Sequence, residues 1–522
     1  MQTSMHMVDP QKAAILGIKE QAPKVQNAFL DATKLDAAGK RKEAERVYLE
    51  LLNSDFDNCV VLAALGMNYA VAEKNGLAQT LLSKALEKVD DIIPAFKRLG
   101  ITPKADTDSD LQNFSNIKRS EILNAIGTCY KHENKIEQAR DYFVQAQALV
   151  PLNADIQNNI GTLFINEGKP EKALEHMNAA IELQPDHAQA HWNKSLATLE
   201  LGDYKQGWVE YDYGFAASVR VERNFTKAPL PVWDGSPGKN IVVYGEQGIG
   251  DEIMFASMLP ELIRDSKSVV FECHKRLHTL FGNSFPGIDI YPTREDEMIM
   301  WSAHQDGSPK YPFDAKIAIG SLGKFYRPNL GSFPGKPYIQ PTVAAESKWA
   351  ITLNKLGSRP KIGIHWIGGH KRTRVEVRSV HLEQLLPILK QDADFISLQY
   401  THCEAEIAAF EKAHGIKIHH YTEANYSPNY DDEAGLVSNL DLVITVCTSV
   451  VHLAGSMGVP CWVLTPSRPA WRYRLDLDYL PWYGKTVTLF RQEPGTTDWQ
   501  PVIEEVSSNL ADLIAATPTN PK

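Results

Sequence analysis

The first segment able to do chemistry is a glycine loop, residues 244–253, which joins a short apolar run to a predicted helix. Glycine lets the backbone approach a ligand closely, and a helix N-terminus favours negative charge, so Gly248 and Gly250 are predicted to contact a substrate. No Gly-Lys-Ser/Thr follows the loop, and its glycine spacing differs from the dinucleotide-binding fingerprint. The loop therefore predicts close backbone approach without matching either nucleotide motif.

The same loop supplies three acidic side chains, Glu246, Asp251 and Glu252. Asp251 stands at the start of the predicted helix, where a carboxylate can cap the helix or act as a general base aimed into a cleft. Local sequence leaves both interpretations open. Glu246 is predicted to contact the substrate, and Glu246 and Glu252 are the next candidates for the base.

The second segment, residues 365–380, follows a predicted buried strand that ends at His365. A Gly-Gly loop and four cations come next, namely Lys371, Arg372, Arg374 and Arg378. Guanidinium groups match phosphate oxygens, although a solvated basic loop explains residues 371–374 equally well. Arg378 and Ser379 stand just before a helical stretch, where phosphates are commonly held, so they and His365 are predicted to bind substrate.

The third segment, residues 441–461, is a buried strand followed by a helix. The strand ends near Thr448 and Ser449, and the helix carries His452. Two hydroxyls with free helix N–H groups make an anion site, so all three residues are predicted to bind substrate. A helix cap with a packed histidine is the alternative.

Histidines and cysteines do not form a metal-binding pattern. Tight ligand spacing is absent among His365, His370, Cys447 and His452, so we predict no metal site. The six cysteines are scattered without a C-x-x-C pair, which indicates reduced thiols in a cytosolic protein.

The elements that must position these residues alternate between strand and helix from about residue 240. The candidate strands are Ile241–Tyr244, Val269–Glu272, Lys361–Trp366, Phe395–Leu398, Ile416–His420, Leu442–Thr445, Trp462–Thr465 and Val487–Phe490. Such alternation predicts doubly wound sheets, and a restart near 345–361 predicts two of them, with Ile416–His420 nearer an edge. Ligands of open α/β sheets bind at the carboxyl ends of the strands, so the three segments should face one cleft.

A 34-residue period organises the first half of the chain. Gly127, Gly161 and Ser195 share this spacing, which is the tetratricopeptide pattern of two helices meeting at small residues. We count five repeats, over 25–58, 59–92, 120–153, 154–187 and 188–221. An insertion near 93–119, polar and rich in Asp at its centre, is predicted to be a surface excursion. The curved array predicts a groove that docks a peptide or protein, or else a scaffold for the neighbouring domain.

Length and charge limit the remaining possibilities. The 522 residues predict about three domains, at about 100–200 residues each. A net charge of −10 disfavours non-specific binding to nucleic acid or anionic membranes. The N-terminus lacks a signal-peptide core, and no apolar run approaches the length of a spanning helix, so a cytoplasmic location is expected.

Three stretches together resemble bacterial proteins in which tetratricopeptide repeats are fused to a heptosyltransferase-like glycosyltransferase of the GT-B fold. They are PVWDGSPGKNIVVYGEQGIGDEIMFASMLP, the Trp-x-Gly-then-Arg-Ser stretch and DLVITVCTSVVHLAGSMGVPCWVL. The likeness covers nearly the whole chain. It implies an α-solenoid followed by two Rossmann-like α/β halves. The expected domains are an N-terminal extension (1–24), the solenoid (25–221), an acceptor-side half (222–345) and a nucleotide-sugar half (346–522).

The resemblance also implies a chemistry. Heptosyltransferases are inverting, metal-independent enzymes that use a nucleotide-activated sugar and need no cofactor. Asp251 matches the position of their catalytic base, and Arg378 corresponds to the basic residue of their nucleotide-sugar half. Thr448 and His452 match a motif that holds the donor, but the family's Asp is Cys447 here, and a thiol cannot accept sugar hydroxyls as a carboxylate does.

The expected function is transfer of a sugar from a nucleotide-diphosphate donor, with the repeats docking a protein or glycan acceptor. The plan of repeats plus GT-B module also resembles protein O-linked N-acetylglucosamine transferases, whose repeats bind polypeptide acceptors. The alternative is a non-catalytic scaffold with a degenerate transferase module that binds a nucleotide, glycan or protein.

Overall fold

The computed structural model describes residues 22–103, 107–225, 229–296, 301, 310–369 and 374–516. The chain divides into two compact units, Met1–Ala190 and His191–Lys522. The fifth predicted repeat, residues 188–221, therefore lies almost entirely in the second unit. The domain boundaries expected at 221/222 and 345/346 stay predictions.

Helical hairpins make up the first unit. Its helices are α1 (Ala22–Ala37), α2 (Arg41–Ser54), α3 (Cys59–Val71), α4 (Asn75–Glu87), α5 (Ile92–Arg98), α6 (Asp108–His132), α7 (Ile136–Leu149), α8 (Ala154–Asn166) and α9 (Pro170–Leu183). The pairs α1–α2, α3–α4, α6–α7 and α8–α9 pack together, so helical hairpins lie at the positions of four predicted repeats. The fifth pair is α10 (Ala188–Glu200) with α11 (Tyr204–Tyr211), followed by α12 (Tyr213–Ala216).

Small residues allow the two helices of a hairpin to touch, as the 34-residue spacing predicts. A Cβ atom at Gly66 of α3 would lie 2.7 Å from Leu82 of α4. At Gly127 of α6 it would lie 2.6 Å from Phe143 of α7. Real Cβ contacts are not this short, so glycine at these positions sets the distance between the helices.

The insertion near 93–119 differs from its prediction. Its first part forms most of α5 and the turn after it, where Ala95, Phe96, Leu99 and Ile101 are buried in the same core as α3 and α4. Its second part lengthens α6, which begins with a capping box between Thr107 and Asp110. The predicted surface excursion is therefore wrong for the first part, because its apolar side chains complete the core.

The second unit contains two sheets. The first has strands β1 (Asn240–Tyr244), β2 (Ser268–Glu272), β3 (Asp289–Tyr291) and β4 (Ala315–Ala318), parallel and in the order β3-β2-β1-β4. Its helices are α13 (Ile249–Ala256), α14 (Leu259–Asp265), α15 (His278–Ser284) and α16 (Gly323–Tyr326). The helix predicted after the glycine loop is followed directly by a second one, α14, which has Pro260 in its first turn, where proline is tolerated.

The second sheet has the order β10-β11-β9-β8-β5-β6-β7 and is parallel except for β10. Its strands are β5 (Lys361–His365), β6 (Asp394–Ser397), β7 (Ile418–His420), β8 (Leu442–Val446), β9 (Cys461–Thr465), β10 (Tyr479–Leu480) and β11 (Gly484–Arg491). Its helices are α17 (Val343–Asn354), α18 (Val375–Arg378), α19 (Leu386–Leu389), α20 (Glu404–His414), α21 (Thr422–Asn425), α22 (Tyr430–Val437), α23 (Ser449–Met457) and α24 (Gln500–Ala516).

The strand order places the predicted segments. In each sheet the first strand is internal, with β1 between β2 and β4 and β5 between β6 and β8. Successive strands are added first on one side of this strand and then on the other. Open α/β sheets bind ligands at the point where this order of addition reverses. The three segments follow β1, β5 and β8, and β7 lies at an edge as expected. The predicted class, a helical solenoid followed by two Rossmann-like sheets resembling GT-B, is confirmed.

Aromatic side chains join the two sheets into one core. Phe255 of α13 and Trp482, which precedes β11, have ring centroids 5.7 Å apart. Trp208 of α11 lies against both rings, at 6.3 and 6.4 Å, and its indole N–H donates to the carbonyl of Arg327 at 2.9 Å. The last repeat helix is therefore part of the core of the second unit.

Candidate active site in the second unit

The N-termini of α13 and α23, one from each sheet, meet in the second unit. A Cβ atom at Gly250 would lie 3.0 Å from the His452 ring and 3.1 Å from the Cα of Ser449. Gly250 is thus needed for the approach of one helix to the other, whereas the sequence predicted that it lets a ligand approach. The result is that the glycine loop and the third segment face each other.

Asp251 lies at this meeting point. One of its oxygens accepts the backbone N–H of Gly248 at 3.2 Å, because Asp251 is the third residue of α13 and reaches back to the residue before the helix. The other oxygen forms an ion pair with Arg472, which follows β9. The two side chains keep 18% and 17% of their surface exposed, so the pair is enclosed but within reach of solvent.

Arg472 is the site residue that sequence reasoning missed. Its guanidinium lies 5.5 Å from the ring of Trp471, and its buried Nε has no hydrogen-bond partner among the described residues. The signal in the sequence is a run of three arginines, Arg468, Arg472 and Arg474, after a buried strand. It was overlooked because the ends of β5 and β8, and not that of β9, carry glycine or hydroxyl clusters.

The other two carboxylates of the glycine loop, Glu246 and Glu252, already have buried ion-pair partners within the fold. Both oxygens of Glu246 pair with Arg220, at 2.5 and 2.7 Å. Glu252 is fully buried, accepts the N–H of His274 at 2.8 Å and pairs with Arg294 at 2.5 Å. Burial raises the pKa of Glu252 to about 7, against the opposing effect of Arg294. Of the three acids, Asp251 is the one that faces the second sheet.

Thr448 and Ser449 begin α23, where the sequence expects an anion site. The Thr448 hydroxyl accepts the N–H of Val450 at 3.3 Å, so it caps the helix as the alternative interpretation proposed. The Ser449 hydroxyl accepts a hydrogen bond from Tyr430 at 3.1 Å. The helix is nine residues long, and its N-terminus carries the partial positive charge that favours an anion.

His452 is held by a chain of tyrosines. Its Nδ1 lies 3.0 Å from the hydroxyl of Tyr483, which in turn donates to Tyr338, and Tyr338 donates to the carbonyl of Ile253 at 2.8 Å. Burial, followed by the nearby charge of Arg472, keeps the pKa of His452 well below its usual value, so the ring is neutral.

Arg378 and Ser379 fasten the loop after β5. Arg378 donates to the carbonyls of Cys447 at 2.8 Å and Gly368 at 3.1 Å. Ser379 accepts the N–H of Gly368 at 2.9 Å and donates to the carbonyl of Val375 at 2.6 Å. Arg378 therefore joins the ends of β5 and β8 through backbone carbonyls, and its binding of substrate stays a prediction.

Several cations of the second sheet lie near one another. Burial, then the charges of Arg378 and Arg468, lower the pKa of Arg374. Arg374 also donates to the carbonyl of Arg468 at 3.0 Å. Of the second segment's other predicted residues, His370, Lys371 and Arg372 lie outside the described residues.

Cys447 stands at the end of β8 among these cations. It is buried, and burial raises the pKa of its thiol to about 11. The thiol is therefore protonated at neutral pH, although the neighbouring Tyr473 hydroxyl lowers its pKa slightly. This side chain cannot accept two sugar hydroxyls, as a carboxylate at the same place can.

His365 ends β5 and is fully enclosed. Neither ring nitrogen has a hydrogen-bond partner among the described residues, and its ring centroid lies 5.1 Å from that of Tyr400. Burial lowers the pKa of His365 to about 3, so the ring is neutral at physiological pH. Unpaired buried nitrogens are costly, which marks His365 as a position where a ligand would supply the missing hydrogen bond.

Metal ligands do not gather in the part of the chain that the structure covers, since no three His, Cys, Asp or Glu side chains there are placed to hold an ion. Nor does any described helix combine the length and apolar character required to cross a membrane.

Comparison with known proteins supports the repeat part of the architecture. Residues 130–183 and 158–207 match a family model described as tetratricopeptide repeat. Protein FlbA of Caulobacter vibrioides (strain ATCC 19089 / CIP 103742 / CB 15) is 30% identical over 345 residues, which is 63% of this chain. The chain spans 56% of the length of that relative.

Solved structures show remote similarity. A glycosyl transferase family 9 structure from Veillonella parvula is 13% identical and covers 57% of this chain and 99% of its own, with a TM-score of 0.41. A structure of pilF from Pseudomonas aeruginosa is 15% identical and covers 47% of this chain and 87% of its own, with a TM-score of 0.30. The family-model match and the hairpin geometry agree that residues 130–207 are tetratricopeptide repeats.

Proposed function

We propose that the second unit is an inverting, metal-independent glycosyltransferase that takes a nucleotide-diphosphate sugar. The observation that carries this proposal is the contact between the two sheets, where Gly250 packs against Ser449 and His452 and the next residue, Asp251, pairs with Arg472. It occurs at the carboxyl ends of the strands, where α/β folds bind ligands. A carboxylate beside a cationic helix N-terminus is the arrangement that removes a proton from one substrate and stabilises charge on another.

In the reaction, an acceptor hydroxyl attacks the anomeric carbon of the donor sugar while its proton passes to Asp251. The bond from that carbon to the diphosphate breaks, and its electron pair leaves on the phosphate oxygen. The N-terminus of α23, the Thr448 and Ser449 hydroxyls and the Arg378 guanidinium stabilise that charge. To bind the phosphate, Arg378 must release one of the two backbone carbonyls to which it donates. A hydrogen bond between two charged groups is stronger than one to a carbonyl, so the exchange is favourable.

The cationic surroundings support an anionic donor. Arg374, Arg378 and Arg468 lie close enough to influence one another, and the chain as a whole carries a net charge of −10. Gathering like charges costs free energy unless an anion binds among them. A nucleotide diphosphate is the anion that the resemblance to heptosyltransferases implies.

A second candidate function is nucleotide binding without turnover. Cys447 favours it, because the thiol replaces the donor-holding carboxylate expected of the family and is already bonded to Tyr473. In either case, we propose that the tetratricopeptide repeats dock a protein or glycan partner, which is the common use of such arrays.

The Asp251→Asn variant separates the two candidates. Asparagine keeps the shape and the bond to Gly248 but cannot take a proton, so release of nucleoside diphosphate from the donor should fall by about 10²–10⁴-fold. Binding of nucleoside diphosphate, measured by calorimetry, should persist. The control is Asp265→Asn, on the surface of the same half. Turnover near that of the wild type in Asp251→Asn would contradict the role of the base, and no turnover in the wild type with any sugar nucleotide would favour binding alone.

A further inference from the structure

The fifth hairpin, α10 with α11, touches both segments that carry the ion pair of the proposed site. Asp251 follows β1 and Arg472 follows β9, whereas α11 precedes both sheets in the chain. The contacts described below for α11 and its preceding turn involve residues of the second unit. The proposed reaction gives this hairpin no role, so its contacts with the two segments need an explanation of their own.

The C-terminal end of α11 meets the glycine loop through Tyr211. The side-chain amide of Gln247 donates to the Tyr211 hydroxyl at 2.7 Å, and the buried Tyr211 ring lies 4.5 Å from the Arg220 guanidinium. Gln247 has a φ of 60°, in the left-handed region that residues with a side chain rarely adopt. Its carbonyl accepts a hydrogen bond from Arg294. Tyr211 therefore helps to hold a strained residue four positions before Asp251.

The N-terminal end of α11 meets the loop after β9 through Tyr204. Arg474 donates to the Tyr204 hydroxyl at 3.3 Å and to the Asp476 carboxylate at 2.6 and 2.9 Å. A Cβ atom at Gly202 would overlap the Arg474 guanidinium, so glycine in the turn before α11 leaves room for it. Arg474 has a φ of 54° and a ψ of 172°, a combination found almost only in glycine. A second strained residue thus lies two positions after Arg472.

Trp208 fills the space between the two segments. Its ring centroid lies 5.6 Å from that of Trp471, which precedes Arg472, and 6.3 Å from that of Phe255, in the same helix as Asp251. Strained backbone conformations persist where the surrounding structure determines them, and they gather at functional sites. Here each strained residue lies near one member of the ion pair and is bonded to a tyrosine of the same helix.

We propose, resting on the function above, that Tyr204 and Tyr211 are positioning residues for sugar transfer. Tyr211 fixes the turn before the proposed base through Gln247, and Tyr204 fixes the loop of its arginine partner through Arg474. The two tyrosines are seven positions apart, which is about two helical turns, so they share a face of α11. One short helix of the repeat region therefore sets how the base and its arginine are aligned.

The first test measures the two segments without any substrate. Tyr211→Phe and Tyr204→Phe, made in the full-length protein, each remove one hydroxyl and keep the ring. We expect Tyr211→Phe to speed hydrogen exchange within residues 244–256, and Tyr204→Phe within residues 471–476. The increase should be about 2- to 10-fold in each case, as the loss of one hydrogen bond requires. Each variant should affect its own segment more than the other.

The second test measures turnover with a sugar nucleotide that the wild type accepts. Both variants should lower kcat by about 2- to 10-fold and leave the KM for the donor unchanged, because the fraction of molecules with an aligned base falls. Gln247→Met, which lacks the amide, should match Tyr211→Phe, and the double variant should lose no more than either alone. A merely structural role would lower the melting temperature and leave kcat per folded molecule unchanged.

Tyr326→Phe is the matched control, since its hydroxyl donates to Asp265 at 3.2 Å in the same half. It should change neither the exchange of the two segments nor the kinetic constants. Unchanged exchange in both tyrosine variants would overturn the inference, and so would faster exchange with an unchanged kcat. If exchange rises as expected but the wild type transfers no sugar, the proposed function fails while the hold of α11 on the two segments stands. Should Tyr211→Phe fail to fold, Gln247→Met takes its place in both tests.

Discussion

At the scale of single residues, the contact between Asp251 and Arg472 connects the two sheets at the proposed centre of reaction. Their ion pair keeps less than a fifth of each side chain exposed, so solvent screens it less than a surface pair. Under the proposed function, Arg472 would hold the carboxylate in place between donor and acceptor. It must release one oxygen when an acceptor hydroxyl binds, and its unpaired Nε offers a second bond to an incoming anion.

A double-mutant cycle measures this contact. Asp251→Asn and Arg472→Gln should each lower the free energy of unfolding of the second unit, and the double variant should lose less than the sum. The expected coupling is about 0.5–3 kcal/mol, from chemical denaturation. The exposed pair Lys34–Asp31 is the control, with a coupling below about 0.5 kcal/mol. Additive losses for Asp251 and Arg472 would show that the pair does not form in solution.

Glu433 predicts a pH-dependent stability. Its pKa is raised by burial to about 8, against about 4.3 when unfolded. Between these values the folded protein keeps a proton that the unfolded chain releases, so rising pH favours unfolding. Glu433→Gln has no such group, and its stability relative to wild type should increase from pH 5 to pH 8 by an amount on the order of 1–4 kcal/mol. A difference that is constant between these pH values would mean that Glu433 ionises normally.

Sequence reasoning reached the residues that follow a visible pattern. Thr448 caps α23. A strand, a hydroxyl residue and a helix follow one another in the sequence there, and this order made a helix cap foreseeable. Glu246 was expected at the substrate, but Arg220, 26 positions earlier, takes both its oxygens. Arg472 was not foreseen, because a side chain that reaches Asp251 from a loop of the other sheet leaves no local spacing to detect.

At the scale of elements, glycines set how closely helices pack in both units. The short distances at Gly66 and Gly127 belong to the repeat pattern and were predictable from it. Strands β3 and β4 could not be predicted, since they have three and four residues and no long apolar run. The burial of α5 was also missed, because its apolar residues sit in a stretch that breaks the 34-residue period.

A pair of alanine substitutions tests the packing of the repeats. Gly127→Ala places a methyl group 2.6 Å from Phe143 and should destabilise the first unit, since overpacking costs about 1–3 kcal/mol. Gly76→Ala, in α4 with nothing within 4 Å of the new atom, should instead stabilise it by about 0.4–1 kcal/mol. Thermal unfolding of both variants decides the matter, and a stabilising Gly127→Ala would mean that α6 and α7 lie farther apart.

At the scale of the whole molecule, an acidic chain concentrates cations where two sheets meet. The arginines at 374, 378 and 468 influence one another, and Arg472 faces the one carboxylate of the glycine loop that is not used within its own sheet. This contrast between overall and local charge favours a small anionic ligand over a large acidic surface as the partner of the second unit.

The most direct measurement is calorimetric titration of nucleoside diphosphates and nucleotide sugars into the wild type and Arg378→Ala. The account predicts one binding site for at least one nucleotide, with an affinity about 10- to 100-fold weaker in Arg378→Ala, because a charge-assisted hydrogen bond is worth about 1.5–3 kcal/mol. Lys412→Ala, which removes an exposed cation, should bind as the wild type does. A wild type that binds no nucleotide, or an Arg378→Ala variant that binds it equally well, would contradict the account.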